Sequence, residues 1–94
     1  MLLTEIIWKT RFADKMAAKH RVSIWQVEEV LTEKAFVVRI ARGRVAGEDV
    51  YEAFGQTHAG RYLVVFFIRK KNAALPISAR DMTPSERRYY EKSR

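Results

Sequence analysis

Two groups of side chains in this sequence are equipped to bind anions or move protons. Lys9, Arg11, Lys15, Lys19 and His20 fall in the first third of the chain, and Arg80, Arg87, Arg88 and Tyr90 fall at its end. Lysine and arginine grip phosphates, arginine through a planar fork. Histidine, with an ordinary pKa of about 6.5, exchanges protons near neutrality. Other chemistries are poorly served. The 94 residues include no cysteine, which removes thiol nucleophiles, disulfides and Cys-ligated zinc. Two histidines, His20 and His58, make an all-protein transition-metal site a poor expectation. There is no phosphate-cradling glycine loop, no H-E-x-x-H, no G-x-S-x-G and no Asp-rich calcium loop.

Charge points the same way. Eighteen Lys and Arg against eleven Asp and Glu give +7, and residues 58–94 hold most of the excess. Residues 23–34 are the acidic stretch. A small basic domain attracts polyanions, because each phosphate it neutralises releases counterions. The same excess also suits a solvated basic surface that binds nothing, and charge alone does not choose between them.

The elements that must position these groups follow from periodicity. Leu3 to Trp8 reads as one strand. Thr10 to Lys19 reads as a helix, with Phe12, Met16 and His20 recurring every four residues. Ser23 opens a second helix as N-cap, with Gln26 completing a capping box and Val22 placed to staple onto Val27. Its expected buried stripe is Ile24, Val27, Val30 and Leu31. From residue 35 the period becomes two. Strands are expected over Ala35–Arg42, Tyr51–Thr57, Arg61–Arg69 and Ala73–Ala79, joined by a loop at Gly43–Gly47, a short hairpin at 57–60 and a turn at 70–72. Tyr62 to Ile68 is apolar on both faces and is the most buried strand. Pro76 cannot donate to a ladder, so the last strand should be an edge or carry a bulge. Thr83-Pro84-Ser85-Glu86 is a complete helix start, and a final helix runs from Pro84 towards Lys92.

The order implies an α+β fold, with the helices on one face of a curved, mainly antiparallel sheet. Hydrophobic residues at 48% and charged residues at 31% suit one folded domain over 1–94. The longest apolar run, Tyr62 to Ile68, is far short of the roughly 20 residues of a membrane helix. Met1 to Trp8 carries Glu5 and lacks the basic lead of a signal peptide, so a cytoplasmic chain without membrane contact is expected.

Three segments resemble one family. Trp8 to Ser23 (W-K-T-R-F-A-D-K-M-A-A-K-H-R-V-S), Ala53 to Leu63 (A-F-G-Q-T-H-A-G-R-Y-L) and Ile77 to Tyr90 (I-S-A-R-D-M-T-P-S-E-R-R-Y-Y) are similar, in order and spacing, to BrnT-type toxins. The resemblance implies a RelE-like ribonuclease fold: an N-terminal strand and two helices, a curved mainly antiparallel sheet and a C-terminal helix. It further implies metal-independent RNA cleavage that stops translation, with no cofactor. The implied partners are the RNA substrate and a cognate ribbon-helix-helix antitoxin, through which alone the toxin would meet operator DNA. Arg21 stands where the family has a glycine after Lys-His. Val50 or Tyr51 stands where it often has an arginine, and Pro76 where it tends to have a strand-compatible residue.

On that resemblance, His20, Arg80 and Glu86 are the expected catalytic residues, and Lys9, Lys19, Arg87 and Tyr90 the expected RNA contacts. Cleavage through the 2′-hydroxyl needs a base, an acid and cations to stabilise the phosphorane, and basic side chains can fill these roles. Each assignment has a plainer counterpart. His20 can simply end the first helix, Arg80 can pair with Asp81 or Glu86, and Glu86 is first of all a capping residue. Tyr90 can pack its helix on the sheet. Trp8 and Trp25 read as packing groups, and His58 as an ordinary turn residue. The departures at Arg21 and Val50 also admit a second reading, a non-catalytic RNA- or protein-binding module on the same fold.

Overall fold

The computed structural model describes residues 3–43 and 46–93. Its elements are β1 (Glu5–Ile6), α1 (Thr10–His20), α2 (Ile24–Thr32), β2 (Phe36–Ala41), β3 (Val50–Gln56), β4 (Tyr62–Lys70), β5 (Ala73–Asp81) and α3 (Pro84–Ser93). Arg44 and Val45, in the middle of the expected Gly43–Gly47 loop, lie outside the described residues. The strands form one sheet in the order β1-β5-β4-β3-β2. All neighbours are antiparallel except β1, which runs parallel to β5. The fold is α+β, as periodicity implied.

Local chemistry sets the helix ends. Ser23 accepts from the Gln26 amide, and Gln26 Oε1 accepts from the Ser23 amide at 3.0 Å, which closes the capping box of α2. Thr83 and Glu86 do the same for α3, at 2.9 and 3.1 Å. α1 has no side-chain cap at its start and ends on Arg21 at φ 54°, ψ 39°. This left-handed backbone is where glycine is usual, so an arginine there costs about 1–2 kcal/mol.

Several expectations need correction. The Leu3–Trp8 strand contracts to Glu5–Ile6, because only Ala73 and Ala74 lie in register to pair with it. The three helices do not share a face. α1 and α2 cover one side of the sheet, where Met16, Val22, Val27 and Val30 pack on Ala53, Leu63, Val65 and Phe67. α3 covers the other, where Tyr90 packs on Phe54 and Val64. A strand that is apolar on both faces requires this, since each face must be shielded from water. Ile24 is 42% exposed, at the overhanging first position of α2, and Trp25 is 67% exposed, turned away from the Val27/Val30 stripe. Trp8 packs as expected and donates from Nε1 to Glu28.

Two backbone features bear on the site. Gly55 lies under α2 so closely that a Cβ would stand 2.9 Å from Val30 Cγ1, so a side chain there would push the helix off the sheet. On β5, Phe66 pairs with Ser78 and Phe67 with Pro76, leaving Ile77 as the extra residue of a bulge. Pro76 is fully buried at this irregularity, and the strand continues past it to Asp81. The bulge is as expected, yet β5 lies inside the sheet order, beside β1.

Candidate active site

β1 pairs with β5 only at its first two residues, so from Leu75 to Asp81 the outer side of β5 has no strand neighbour among the described residues. Bulges and free edges of this kind re-aim side chains and leave backbone groups accessible. The C-terminal half of α1 lies along this edge. Lys15, Met16, Lys19, His20, Ile77 and Ser78 enclose a cavity of about 110 Å³ there. Lys15 and Lys19 are four apart, hence on one helix face. Two lysines, a histidine and a serine thus line a space of roughly phosphate size. Lys9, at the N-cap, stands about 16 Å away along the axis of α1.

His20 is held there through its backbone. Arg61 opens β4 and donates from Nη2 to the His20 carbonyl at 2.9 Å and from Nη1 to the Arg21 carbonyl at 2.7 Å. The same guanidinium holds both oxygens of Asp81, at 2.7 and 3.0 Å. One arginine therefore ties the end of α1 to the end of β5. Arg61 keeps the Asp81 carboxyl below the ordinary aspartate range, with a smaller contribution from the nearby His20. Gly60, at φ 98°, turns the chain into this strand.

Arg80 and Asp81 are consecutive on β5 and so point to opposite faces. Arg80 emerges on the α3 side. Its Nη1 and Nη2 donate to Glu86 Oε1 and Oε2 at 2.6 and 2.9 Å, and its guanidinium lies 5.5 Å from the centre of the Phe66 ring. Glu86 also accepts from the Thr83 amide, so one carboxylate caps α3 and orients the arginine. Its acidity is raised chiefly by Arg80. Arg87 sits 3.8 Å over the Tyr62 ring, and Tyr90 meets the same ring edge-on at 6.1 Å. Tyr90 is only 5% exposed, whereas Tyr89 is half-exposed against Phe36 and Phe54.

The expected residues thus form two sets flanking one strand edge. Lys15, Lys19 and His20 stand on the α1 side. Arg80, Glu86, Arg87 and Tyr90 stand on the α3 side. Ser78 links them: it lines the cavity beside His20 and precedes Arg80 by two residues on the same strand. A groove between α1 and α3 does not exist, because the sheet separates them. What they share is the edge of β5.

Five residues of this region escaped sequence reasoning as parts of the site. Lys15 was visible only as one more base of α1, and Ser78 as a strand residue. Arg61 and Asp81 are 20 apart in sequence and meet only through strand register. Glu52 had a signal: it is a carboxylate between Val50 and Phe54 on an otherwise apolar strand face. It is half-buried, and burial, followed by repulsion from Glu86, raises its pKa.

The pattern of residues has known relatives. A family model described as "Ribonuclease toxin, BrnT, of type II toxin-antitoxin system" matches residues 8–86. This chain belongs to the BrnT toxin family. The structure is also similar to the crystal structure of the Brucella abortus ribonuclease toxin, BrnT, with a TM-score of 0.59 and 23% identity. The match covers 84% of this chain and 96% of that one, and shows that the two share a fold. Comparison with curated protein sequences gives no match. In this BrnT-family chain the residue after Lys19-His20 is Arg21, which ends α1 by taking up the left-handed backbone itself.

Proposed function

We propose that this chain, acting as one toxin domain over 1–94, is an RNA endonuclease that cleaves without a metal ion or cofactor and so stops translation. Family membership supports ribonuclease chemistry. The observation that carries the reading is the cationic edge of β5, with the Lys15–Lys19–His20–Ser78 cavity on one side and Arg80 on the other. A phosphate in that cavity would be neutralised by the two lysines. Arg80, on the other side of the edge, would grip a neighbouring phosphate, with Glu86 keeping the fork in position. His20 supplies an imidazole, a group that can pass a proton to or from the reacting atoms. The chemistry is transfer of the phosphoryl bond from the 5′ oxygen to the ribose 2′ oxygen, with charge on the phosphorane stabilised by cations.

RNA contacts extend outward from this edge. Arg87 presents its guanidinium beside Tyr62, and Tyr90 seats the helix that carries it. Lys9 adds charge at the far end of α1. A ribbon-helix-helix antitoxin, acidic where it meets these residues, would cover the edge and bring the pair to operator DNA. The protein would work in the cytoplasm, where messenger RNA is translated.

The test is single-stranded RNA incubated with the purified protein in EDTA. Cleavage that disappears in His20→Ala and Arg80→Ala, with the fold retained by circular dichroism, is the expected result. RNA that is bound and left intact would overturn the reading and favour a non-catalytic binding module on this fold.

A further inference from the structure

On the α3 side of the sheet, strand register lines up four residues in a row: Val38 of β2, Glu52 of β3, Phe66 of β4 and Ser78 of β5. Arg80 bends over the Phe66 ring in the middle of this row. Two carboxylates therefore flank one guanidinium, Glu86 from α3 and Glu52 from the sheet. Their situations differ. Glu86 is engaged by Arg80 on both oxygens and by the Thr83 amide. Glu52 accepts no hydrogen bond among the described residues and feels Arg80 only through space. Its strand neighbours, Val38 and Phe66, offer no donor.

An open carboxylate beside a phosphate-gripping arginine is suited to proton transfer. We propose that Glu52 is the general base of the RNA cleavage inferred above, taking the proton of the ribose 2′-hydroxyl next to a phosphate held by Arg80. The proposal rests on that reading of the site. In the step, the 2′-hydroxyl proton passes to the Glu52 carboxylate and the 2′ oxygen forms a bond to phosphorus. The phosphorus–O5′ bond breaks, and the leaving oxygen takes a proton from a water molecule on the α3 side. The products are a 2′,3′-cyclic phosphate and a 5′-hydroxyl. Glu52 then returns its proton to the hydroxide so formed.

The surroundings set the two carboxylates apart in acidity, which is how one site holds a base and a bound anion side by side. Burial and the like charge of Glu86 push Glu52 upward, with Arg80 opposing. Arg80 and Thr83 hold Glu86 downward. The charged groups facing Glu52 are therefore Arg80 from β5 and Glu86 from α3, while β2 and β4 present only apolar side chains. A carboxylate whose pKa is moved towards neutrality is a stronger base that is still ionised at working pH.

The experiment is a single-turnover pH–rate profile on an RNA oligonucleotide, for the wild type, Glu52→Gln and Glu52→Asp. Binding of an all-2′-deoxy analogue is measured alongside by fluorescence anisotropy. Glu52→Gln should cut about 10²–10⁴-fold more slowly and lose the limb that rises with pH, while binding the analogue within about twofold of the wild type. Glu52→Asp should restore part of the rate and the limb. Should the Gln variant fail to bind or fold, Glu52→Asp decides, since a shorter base must shift the rate and a packing residue must not. A Gln variant that cleaves with the wild-type profile overturns the role of Glu52 and leaves the nuclease reading standing. A wild type that leaves RNA intact removes both.

Discussion

Arg61 and His20, 41 residues apart, are joined by a 2.9 Å bond from guanidinium to backbone carbonyl. The strand that opens with Arg61 thereby fixes the last turn of the helix that carries the histidine. Bonds to a charged donor contribute about 1.5–3 kcal/mol where they are shielded, and less in partly exposed pairs. Arg61→Met should therefore cost about 2 kcal/mol in urea unfolding. It should also lower RNA cleavage more than a surface substitution of equal stability cost, because His20 loses its anchor.

Arg21 offers the opposite sign. Its left-handed backbone is strained for a side chain, and its hydrogen bonds, from its amide to Ala17 and to its carbonyl from Arg61, are backbone ones that any residue retains. Arg21→Gly relieves the strain and adds chain entropy to the unfolded state. The balance should be a gain of about 0.5–1 kcal/mol in urea unfolding.

Much of the fold was legible because its signals are local. Ser23/Gln26 and Thr83/Glu86 are chemistry between residues three apart, and both helix starts appear where they were expected. Pro76 announced a bulge for the same reason. The placement of α3 was less visible, although Tyr62 to Ile68, apolar on both faces, already required cover on each side. The site was harder still. His20 and Arg80 lie on opposite sides of the sheet, and the side that Arg80 takes depends on the single extra residue, Ile77, of the bulge. Arg61 with Asp81, and Glu52 with Arg80, meet only once register is set.

His58, taken for an ordinary turn residue, fastens the β3–β4 hairpin to α2. Its ring nitrogens lie 3.3 Å from Glu29 and 2.9 Å from Glu33, and its amide donates to Glu29 at 3.0 Å. The bond to Glu33, and next the charge of Glu29, raise its pKa above the ordinary value. A raised histidine pKa adds stability that is complete below the unfolded value and is lost as pH rises through the folded one. The thermal midpoint should therefore fall between pH 6 and pH 8 by more in the wild type than in His58→Gln. Equal slopes in the two proteins would count against the contact.

Tyr90 and Tyr89 are neighbours with different tasks. Buried Tyr90 seats α3 against Tyr62, Phe54 and Val64. Tyr90→Ala should cost about 3–4 kcal/mol by chemical denaturation. It should also loosen Arg80, whose partner Glu86 rides on the same helix. Tyr89→Ala, at a half-exposed position, should cost about 1 kcal/mol.

We propose that the basic edge of β5 drives RNA cleavage through the 2′-hydroxyl without a metal ion. The most direct measurement uses an oligonucleotide with one ribose in an otherwise 2′-deoxy strand, incubated with the protein in EDTA. A single cut on the 3′ side of that ribose, leaving a 2′,3′-cyclic phosphate, is expected, and no cut with His20→Ala or Arg80→Ala. Cleavage that ignores the ribose, or that starts only when magnesium is added, would contradict it.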